Sequence, residues 1–347
     1  MLPLTALKPQ SVLIRATNWV GDAVMTLPAM ATIRANLPDA RLCLLALPWM
    51  ADVFTASPDV DEIIAYRRDG EHRGLAGKLR LAAALRARRF DAAILFQNAF
   101  EAALLAWLAD IPIRAGYTTD GRGLLLTHGV PLPFGIKRRH QVHYYQTLLA
   151  RLGMRPQACR LELRLPAAAR AWATALLQAH GPGPFVGLNP GGAYGPAKRW
   201  PTGRFAALAR RLGQEAGATV LVFGTAAEAP AAAAIRAAAP AAVLDLAGRT
   251  SLAQAAALIA RCQVVVSNDS GLMHVAAALA VPLVAIFGST NPVTTGPFSD
   301  RARVLRHPLP CSPCLATVCP NGDFSCMASI SVDEVFAATR ARLDRAA

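Results

Sequence analysis

"VLIRATNWVGDAVMTLPA", residues 12–29, changes from an apolar run to a helical pattern within a few positions. The run at residues 12–14 is typical of a strand buried on both faces, and Gly21 allows the tight turn that follows. Residues 22–36 have helical spacing, although Pro28 falls inside that helix and predicts a kink or a late start. This stretch predicts a strand, a turn and a helix, the opening of an α/β fold.

The same alternation continues along the whole chain. The predicted strands are residues 12–16, 41–47, 62–66, 91–96, 185–189, 219–224, 242–246, 263–268 and 283–288. The predicted helices are residues 22–36, 75–89, 202–216, 251–261 and 271–280. Apolar, β-branched runs separated by helices predict parallel sheets that are covered on both faces.

A Gly/Pro-rich stretch, "QAHGPGP" (178–184), precedes a restart of this alternation near residue 185. We therefore predict two Rossmann-like, doubly wound α/β domains, residues 1–180 and 181–347, facing each other across a cleft. Ligands of such sheets bind beyond the carboxyl ends of the strands. Each candidate motif below follows a strand, so we expect these motifs to share one cleft.

The net charge of +14 over 347 residues predicts attraction for anions, such as phosphorylated ligands, nucleic acid or an anionic membrane face. Nearly all the basic residues are arginine; only Lys8, Lys78, Lys137 and Lys198 are lysine.

The start of the chain, "MLPLTALKPQ", lacks a charged region followed by a long apolar core, and no segment is typical of a membrane span. We expect a soluble cytoplasmic protein.

Asp22 stands where the first strand gives way to the first helix. A carboxylate there is favoured by the helix dipole and caps free N–H groups, which is a purely structural explanation. The functional alternative is a general base that removes a proton from an attacking hydroxyl. Trp19 is either packed in the interior or forms one wall of the pocket.

The stretch "NPGGAYGPAKRWP", residues 189–201, is a glycine-rich loop after a strand. Backbone N–H groups around Gly191 and Gly192 can bind phosphate oxygens, although the loop matches neither the Walker loop nor the dinucleotide fingerprint. Lys198 is the only lysine in the second half of the chain, and we expect it to pair with a diphosphate. The alternative is a solvated Lys-Arg pair before a helix that begins at Pro201.

A second strand-to-helix junction, "SNDSGLMHVAAALA" (residues 267–280), places Asp269, Ser270 and Gly271 at a helix N-terminus. Such a terminus with small residues is suited to an anion. His274 lies four residues after Ser270, on the same helix face. We expect His274 to contact the ligand; the alternative is a histidine with only structural hydrogen bonds.

Glu228 follows a strand, a glycine and a threonine in "FGTAAEAP", residues 223–230. A carboxylate at such a position could hold the two hydroxyl groups of a ribose, as in other nucleotide sites. A solvated glutamate is the alternative, and the sequence alone does not separate the two.

Four cysteines with the spacing C-x2-C-x4-C-x6-C lie in "CSPCLATVCPNGDFSCM", residues 311–327. Clustered cysteines in a cytosolic protein indicate a metal site more than disulfides, but this spacing differs from that of a common zinc ribbon. Structural zinc, an iron–sulfur cluster and reduced thiols all remain open for Cys311, Cys314, Cys319 and Cys326.

Basic residues also cluster in the first half, including Arg67, Arg68, Lys137 and Arg138. They form either solvated faces or contacts with an anionic acceptor or membrane surface.

Taken together, "TNWVGDAVMTLPA", "GGAYGPAKRWP", "FGTAAE" and "SNDSGLMHVAAAL" resemble glycosyltransferase family 9, the ADP-heptose:lipopolysaccharide heptosyltransferases. The motifs occur in the family's order, and the likeness includes residues 97–117. Within the family they are more similar to the enzymes that add the second inner-core heptose than to those that add the first. The resemblance implies a GT-B architecture, two Rossmann-like domains with a C-terminal helix that packs back on the first domain.

The resemblance also implies roles for matching positions. Asp22 would be the general base, Lys198 would bind the diphosphate of ADP-heptose, and Glu228 would hold the ribose. The remainder of the sugar-diphosphate site would consist of Asp269, Ser270, Gly271 and His274. The family inverts the anomeric configuration and needs no metal for catalysis. Its acceptor sits on lipid A, which implies peripheral association with the anionic inner face of the inner membrane.

Two alternatives remain at this stage. Another family 9 transferase with a different acceptor or nucleotide sugar would carry the same donor motifs. A basic nucleotide- or nucleic-acid-binding protein would explain the charge. However, no helix-turn-helix, aromatic RNA-binding motif or zinc finger is present, so we expect no nucleic-acid partner.

Overall fold

A computed structural model describes residues 2–346, which divide into two compact units between Arg164 and Leu165. The strands are β1 Ser11–Arg15, β2 Arg41–Ala46, β3 Glu62–Ala65, β4 Ala92–Leu95, β5 Ile113–Tyr117, β6 His128–Val130, β7 Phe185–Asn189, β8 Thr219–Val222, β9 Val243–Asp245, β10 Val264–Asn268, β11 Leu283–Ile286 and β12 Ala302–Leu305. The α-helices are α1 Leu4–Leu7, α2 Val20–Met25, α3 Leu27–Asn36, α4 Gly74–Arg86, α5 Phe100–Leu108, α6 Gln141–Arg151, α7 Ala167–Gln178, α8 Thr202–Ala216, α9 Ala229–Ala238, α10 Leu252–Ile259, α11 Gly271–Ala278, α12 Pro292–Thr295, α13 Ser325–Ala328 and α14 Val332–Ala346. Short 3₁₀ helices are Pro48–Val53, Arg122–Leu125, Ile136–Arg138, Pro196–Lys198 and Ala226–Glu228.

The first unit contains a six-stranded parallel sheet in the order β3-β2-β1-β4-β5-β6. Strand β1 is central because its apolar run is covered on both faces; Val12 and Ile14 are fully buried. The strand order reverses between β1 and β4. Such a switch point opens a crevice at the carboxyl ends of the two strands.

The second unit repeats this plan in a sheet of order β12-β11-β10-β7-β8-β9, again fully parallel. Its switch point lies between β7 and β10, where Asn189 is the register partner of Ser267. The predicted α/β class with two doubly wound sheets is therefore confirmed.

The boundary between the units differs from the predicted one at residues 180/181. Helix α7 lies on the first-domain side of the predicted boundary, but it packs on α10 and belongs to the second unit. The Gly/Pro-rich stretch at 178–184 is therefore a connection from α7 to β7 within the second unit. Gly/Pro-rich stretches occur at turns and loops in general, so such a stretch does not by itself indicate a domain boundary.

Every predicted strand is present, but β5, β6 and β12 were not predicted. Strand β6 has three residues, and Arg303 of β12 lies exposed at the sheet edge. Short or edge strands of mixed polarity lack the continuous apolar signal of a buried strand.

The first predicted helix consists of two helices that meet at Thr26. Helix α2 ends there, and Pro28 lies in the first turn of α3, where its missing N–H costs no hydrogen bond. Pro28 predicts a kink or a late start; helical structure begins already at Val20, and the predicted helix is instead interrupted at Thr26.

The last helix, α14, packs on α8 and beside β10 and β11 in the second unit. Its Phe336 lies under the guanidinium of Arg211, 4.0 Å from the ring centroid. The expected packing of this helix on the first domain stays a prediction. None of the helices formed by residues 2–346 is long and apolar enough to span a membrane.

Candidate active site

Two asparagines hold the glycine-rich loop at the switch point of the second sheet. Asn268, at the end of β10, accepts a hydrogen bond from the Trp200 backbone N–H (3.0 Å) and donates one to the Pro190 carbonyl (2.7 Å). Asn189, at the end of β7, donates to the hydroxyl groups of Ser267 (2.9 Å) and Ser270. Both ends of the loop are therefore fixed to adjacent strands, which pre-organises its backbone N–H groups.

Lys198 lies inside this loop rather than on its surface, with only 8% of the residue exposed. Its Nζ is 4.0 Å from Oδ2 of Asp269 and 5.6 Å from the ring centroid of Tyr194. Gly192 packs closely on the lysine stem, since a Cβ there would lie 3.1 Å from Cε. A solvated lysine is excluded by this burial.

Asp269 is also buried, at 6% exposure. Burial raises the pKa of its carboxyl group, while the Lys198 ammonium and the nearby hydroxyl groups of Thr290 and Thr295 lower that pKa in part. A buried ion pair of this kind brings a cation to a site from which water is largely excluded, where its attraction for an anionic ligand is strong.

Glu228 is the N3 residue of a capping box whose N-cap is Thr225, at the 3₁₀ helix of residues 226–228. Its Oε2 accepts hydrogen bonds from the backbone N–H (2.9 Å) and hydroxyl (2.6 Å) of Thr225. Its Oε1 faces the glycine loop, 3.8 Å from Nη2 of Arg199 and 3.3 Å from where a Cβ of Gly191 would lie. The carboxylate is largely buried, so the alternative of a solvated glutamate is wrong, and one oxygen has a structural partner.

Ser270 is the N-cap of α11, where its hydroxyl accepts a hydrogen bond from the Met273 N–H (3.5 Å). Gly271 is the first residue of that helix. His274 is 3% exposed in the following turn. The N-terminus of α11 thus lies directly beside the glycine loop, joined to it through Asn189.

In the first unit, Asp22 occupies the first turn of α2, after the switch-point strand β1. It is partly exposed, and its charge adds to burial in raising the pKa of Tyr145 on α6. Trp19 is the N-cap residue of α2 but its side chain makes no capping hydrogen bond and is 60% exposed. Packing in the interior is therefore wrong for Trp19, and a wall of an open pocket remains consistent.

The four basic candidate residues of the first unit are exposed. Arg67 and Arg68 follow β3, with Nε atoms 3.4 Å from Glu71 and 3.7 Å from Asp69, respectively. Lys137 and Arg138 lie in the 3₁₀ helix at residues 136–138, also exposed. These residues are placed on solvated faces.

The four clustered cysteines are unpaired and line one small cavity together with Asp323 and Ser289. Cys326 turns toward the backbone of Gly288, while the Cys319 thiol faces Oδ1 of Asp323 at 3.7 Å. Within residues 2–346, no three His, Cys, Asp or Glu side chains are arranged to hold a metal ion. The side-chain positions match reduced thiols, one of the three possibilities that the sequence left open.

The structure brings all eight donor-side candidates together at the end of one sheet: Gly191, Gly192, Lys198, Glu228, Asp269, Ser270, Gly271 and His274. The sequence interpretation missed Asn189, Asn268, Arg199 and Tyr194. The two asparagines had a signal, because each ends a buried strand with a polar residue. Tyr194 had none, since nothing in the loop indicates that its ring lies near Lys198.

Two doubly wound sheets, with a glycine loop, a buried lysine and a helix N-terminus at one switch point, have the GT-B architecture of a glycosyltransferase. The chain belongs to glycosyltransferase family 9 (heptosyltransferase), whose profile matches residues 78–324. The predicted family and enzyme class are confirmed.

Lipopolysaccharide heptosyltransferase 2 of Salmonella typhimurium is 34% identical to this chain over 305 residues, 85% of this chain and 87% of that protein. Lipooligosaccharide heptosyltransferase 2 of Haemophilus influenzae is 32% identical over 311 residues, covering 85% and 88%. The structure of ADP-heptose lipopolysaccharide heptosyltransferase II of Escherichia coli superposes with a TM-score of 0.83 at 31% identity, covering 96% of this chain and 99% of that one.

Proposed function

We propose that this chain transfers heptose from ADP-heptose to the inner-core heptose of lipopolysaccharide, with inversion at the anomeric carbon. The observation that carries the proposal is the buried Lys198–Asp269 pair in a glycine loop at the switch point. Relatives named for this activity are similar over most of the chain.

On the donor side, the loop N–H groups at Gly191 and Gly192 and the Lys198 ammonium bind the diphosphate. Oε1 of Glu228 accepts hydrogen bonds from the ribose hydroxyls, since its Oε2 is engaged by Thr225. Ser270, Gly271 and His274 at the start of α11 complete the sugar-diphosphate site, with Asp269 fixing the lysine.

On the acceptor side, Asp22 is the general base. The acceptor oxygen attacks the anomeric carbon of the donor, its proton passes to the Asp22 carboxylate, and the bond from that carbon to the diphosphate breaks. The departing ADP gains negative charge, which Lys198 and the loop N–H groups stabilise. Such preorganised donors are worth about 10²-fold or more in rate, and general-base assistance ~10²–10⁴-fold.

The acceptor is anchored in a membrane through lipid A, so the enzyme works at the cytoplasmic face of the inner membrane as a peripheral protein. The exposed Arg67, Arg68, Lys137 and Arg138, with Trp19, contact the acceptor or anionic headgroups, at roughly 1 kcal/mol per well-placed basic residue. Co-sedimentation with vesicles should then require anionic lipid and weaken with salt; equal binding to neutral vesicles would contradict this part of the proposal.

Transfer is tested with ADP-heptose and heptosyl-Kdo₂-lipid A, by following ADP release and product mass. Asp22→Asn should lower kcat by about 10²-fold or more while ADP-heptose binding is retained. The matched control is Asp39→Asn. Asp39 is an exposed carboxylate just before β2, at the amino-terminal end of the strands, whereas Asp22 follows the carboxyl end of β1. Wild-type turnover in Asp22→Asn would refute the base assignment.

A further inference from the structure

The segment of residues 311–326, here called the cysteine segment, has no part in the chemistry above, yet it contacts the donor loop directly. The Ala197 N–H donates a hydrogen bond to the Thr317 carbonyl (3.1 Å), and the Tyr194 hydroxyl donates to the Leu315 carbonyl (2.8 Å). Gly195 lies so close that a Cβ there would be 2.3 Å from the Thr317 oxygen. The segment therefore forms one side of the loop that carries Lys198.

The other side of the cysteine segment is attached to the chain that follows β11. The Leu315 N–H donates to the Ser289 carbonyl (2.8 Å), and the Ser312 hydroxyl donates to the Gly288 carbonyl (2.6 Å). A Cβ at Gly288 would lie 2.8 Å from the Cys326 sulfur. The segment thus connects the end of β11 to the loop after β7. On both sides the hydrogen bonds are accepted by backbone carbonyls.

Tyr194 contacts both the cysteine segment and Lys198. Its ring lies under Nζ of Lys198, at 5.6 Å from the centroid, while its hydroxyl is held by Leu315. The ring is about half exposed, so the fixed hydroxyl, rather than surrounding packing, determines where the ring stands. A cation over a tyrosine face is attracted to it, and the direction of attraction follows the ring.

We propose that the cysteine segment positions Lys198 for the donor diphosphate, acting through Tyr194 and through the close contact at Gly195. The inference rests on the proposed function of the donor site. It assigns Tyr194 and Gly195 as positioning residues: neither needs to touch the transferred sugar. It also explains why Gly195 is glycine, because any side chain would push the loop off the Thr317 carbonyl.

The test compares the affinities for ADP and for adenosine by calorimetry, because only ADP carries the diphosphate that Lys198 binds. Tyr194→Phe removes only the hydroxyl anchor and should weaken ADP binding about 3- to 10-fold, the effect of one lost hydrogen bond. Gly195→Ala should weaken it at least as much. Adenosine affinity should stay unchanged in both variants, and KM for ADP-heptose should rise.

The matched control is Gly203→Ala in α8, where nothing lies within 4 Å of the added Cβ, and it should bind both ligands like wild type. Equal losses of ADP and adenosine affinity in Tyr194→Phe would indicate general disruption and overturn the proposal, as would unchanged ADP affinity. If Gly195→Ala does not fold, Tyr194→Phe decides alone. A wild-type protein that binds no ADP would overturn the proposed function itself, which distinguishes the two failures.

Discussion

Replacing Lys198 by methionine tests the buried pair at the centre of the donor site. Methionine keeps most of the side-chain volume, so the change chiefly removes the charge. Asp269 then remains buried without its cation, although the hydroxyl groups of Thr290 and Thr295 still favour its ionised form. A buried carboxylate in this position must either stay ionised at a cost or take up a proton.

The magnitude follows from the separation of the two charges. At 4.0 Å, with an effective dielectric constant of about 20, the pair attracts by about 4 kcal/mol. The two threonine hydroxyls and local relaxation compensate part of that loss. We therefore expect Lys198→Met to lower the free energy of unfolding by about 2–4 kcal/mol where Asp269 is ionised.

The loss must depend on pH, with a defined sign. The pKa of Asp269 is raised in the folded protein, so its contribution to stability is present at low pH and is lost as pH rises through the folded pKa. Lys198 lowers the pKa of Asp269, so removing the lysine raises this pKa further. The loss of stability on ionisation of Asp269 then extends over a wider range of pH. The variant should match wild type closely in acid and fall behind as pH rises above the wild-type pKa, until a plateau is reached.

Urea unfolding between about pH 4 and pH 9, followed by tryptophan fluorescence, measures this difference. The double variant Lys198→Met/Asp269→Asn should lose the added pH dependence. Arg340→Met is the matched control, since its partner Asp344 at 3.0 Å is exposed and the pair should contribute less than about 1 kcal/mol. A pH-independent deficit in Lys198→Met would refute the ion pair.

Two further changes test the scaffold of the site. Asn268→Ala leaves the Trp200 N–H and the Pro190 carbonyl without their buried partner, so unfolding free energy should fall by about 2–4 kcal/mol and ADP affinity should decrease; an unchanged urea midpoint would contradict it. Thr225→Ala removes the capping hydroxyl and should cost about 1 kcal/mol, with weaker ADP binding as Glu228 loses its orientation. Calorimetry showing full ADP affinity would count against the role of Glu228.

The fold was predictable because its signals are local. Central strands such as β1 and β10 are short apolar runs buried on both faces, and each is followed at once by turn residues and a helix. The boundary between the two units was not predictable from the sequence, because α7 would have the same amphipathic pattern whichever sheet it covers. Only its packing on α10 assigns it to the second unit.

For the site, composition and position predicted roles for Lys198 and Asp269, because a lone lysine and a carboxylate both follow switch-point strands, and the structure places the two side chains 4.0 Å apart. The cysteine spacing was less informative. A regular spacing of thiols indicates a metal only if three or more of them are arranged to hold one ion, and no such group is present among residues 2–346. Long-range contacts such as that of Tyr194 with Leu315 leave no pattern in the sequence.

The most direct measurement of the central claim is the mass of the acceptor after incubation with ADP-heptose, for wild type beside Asp22→Asn. We predict a gain of one heptose and stoichiometric ADP release with wild type, and neither with the variant, although the variant still binds ADP-heptose. Donor binding without any transfer by the wild-type enzyme would contradict the assigned acceptor. Equal transfer by both proteins would contradict Asp22 as the base.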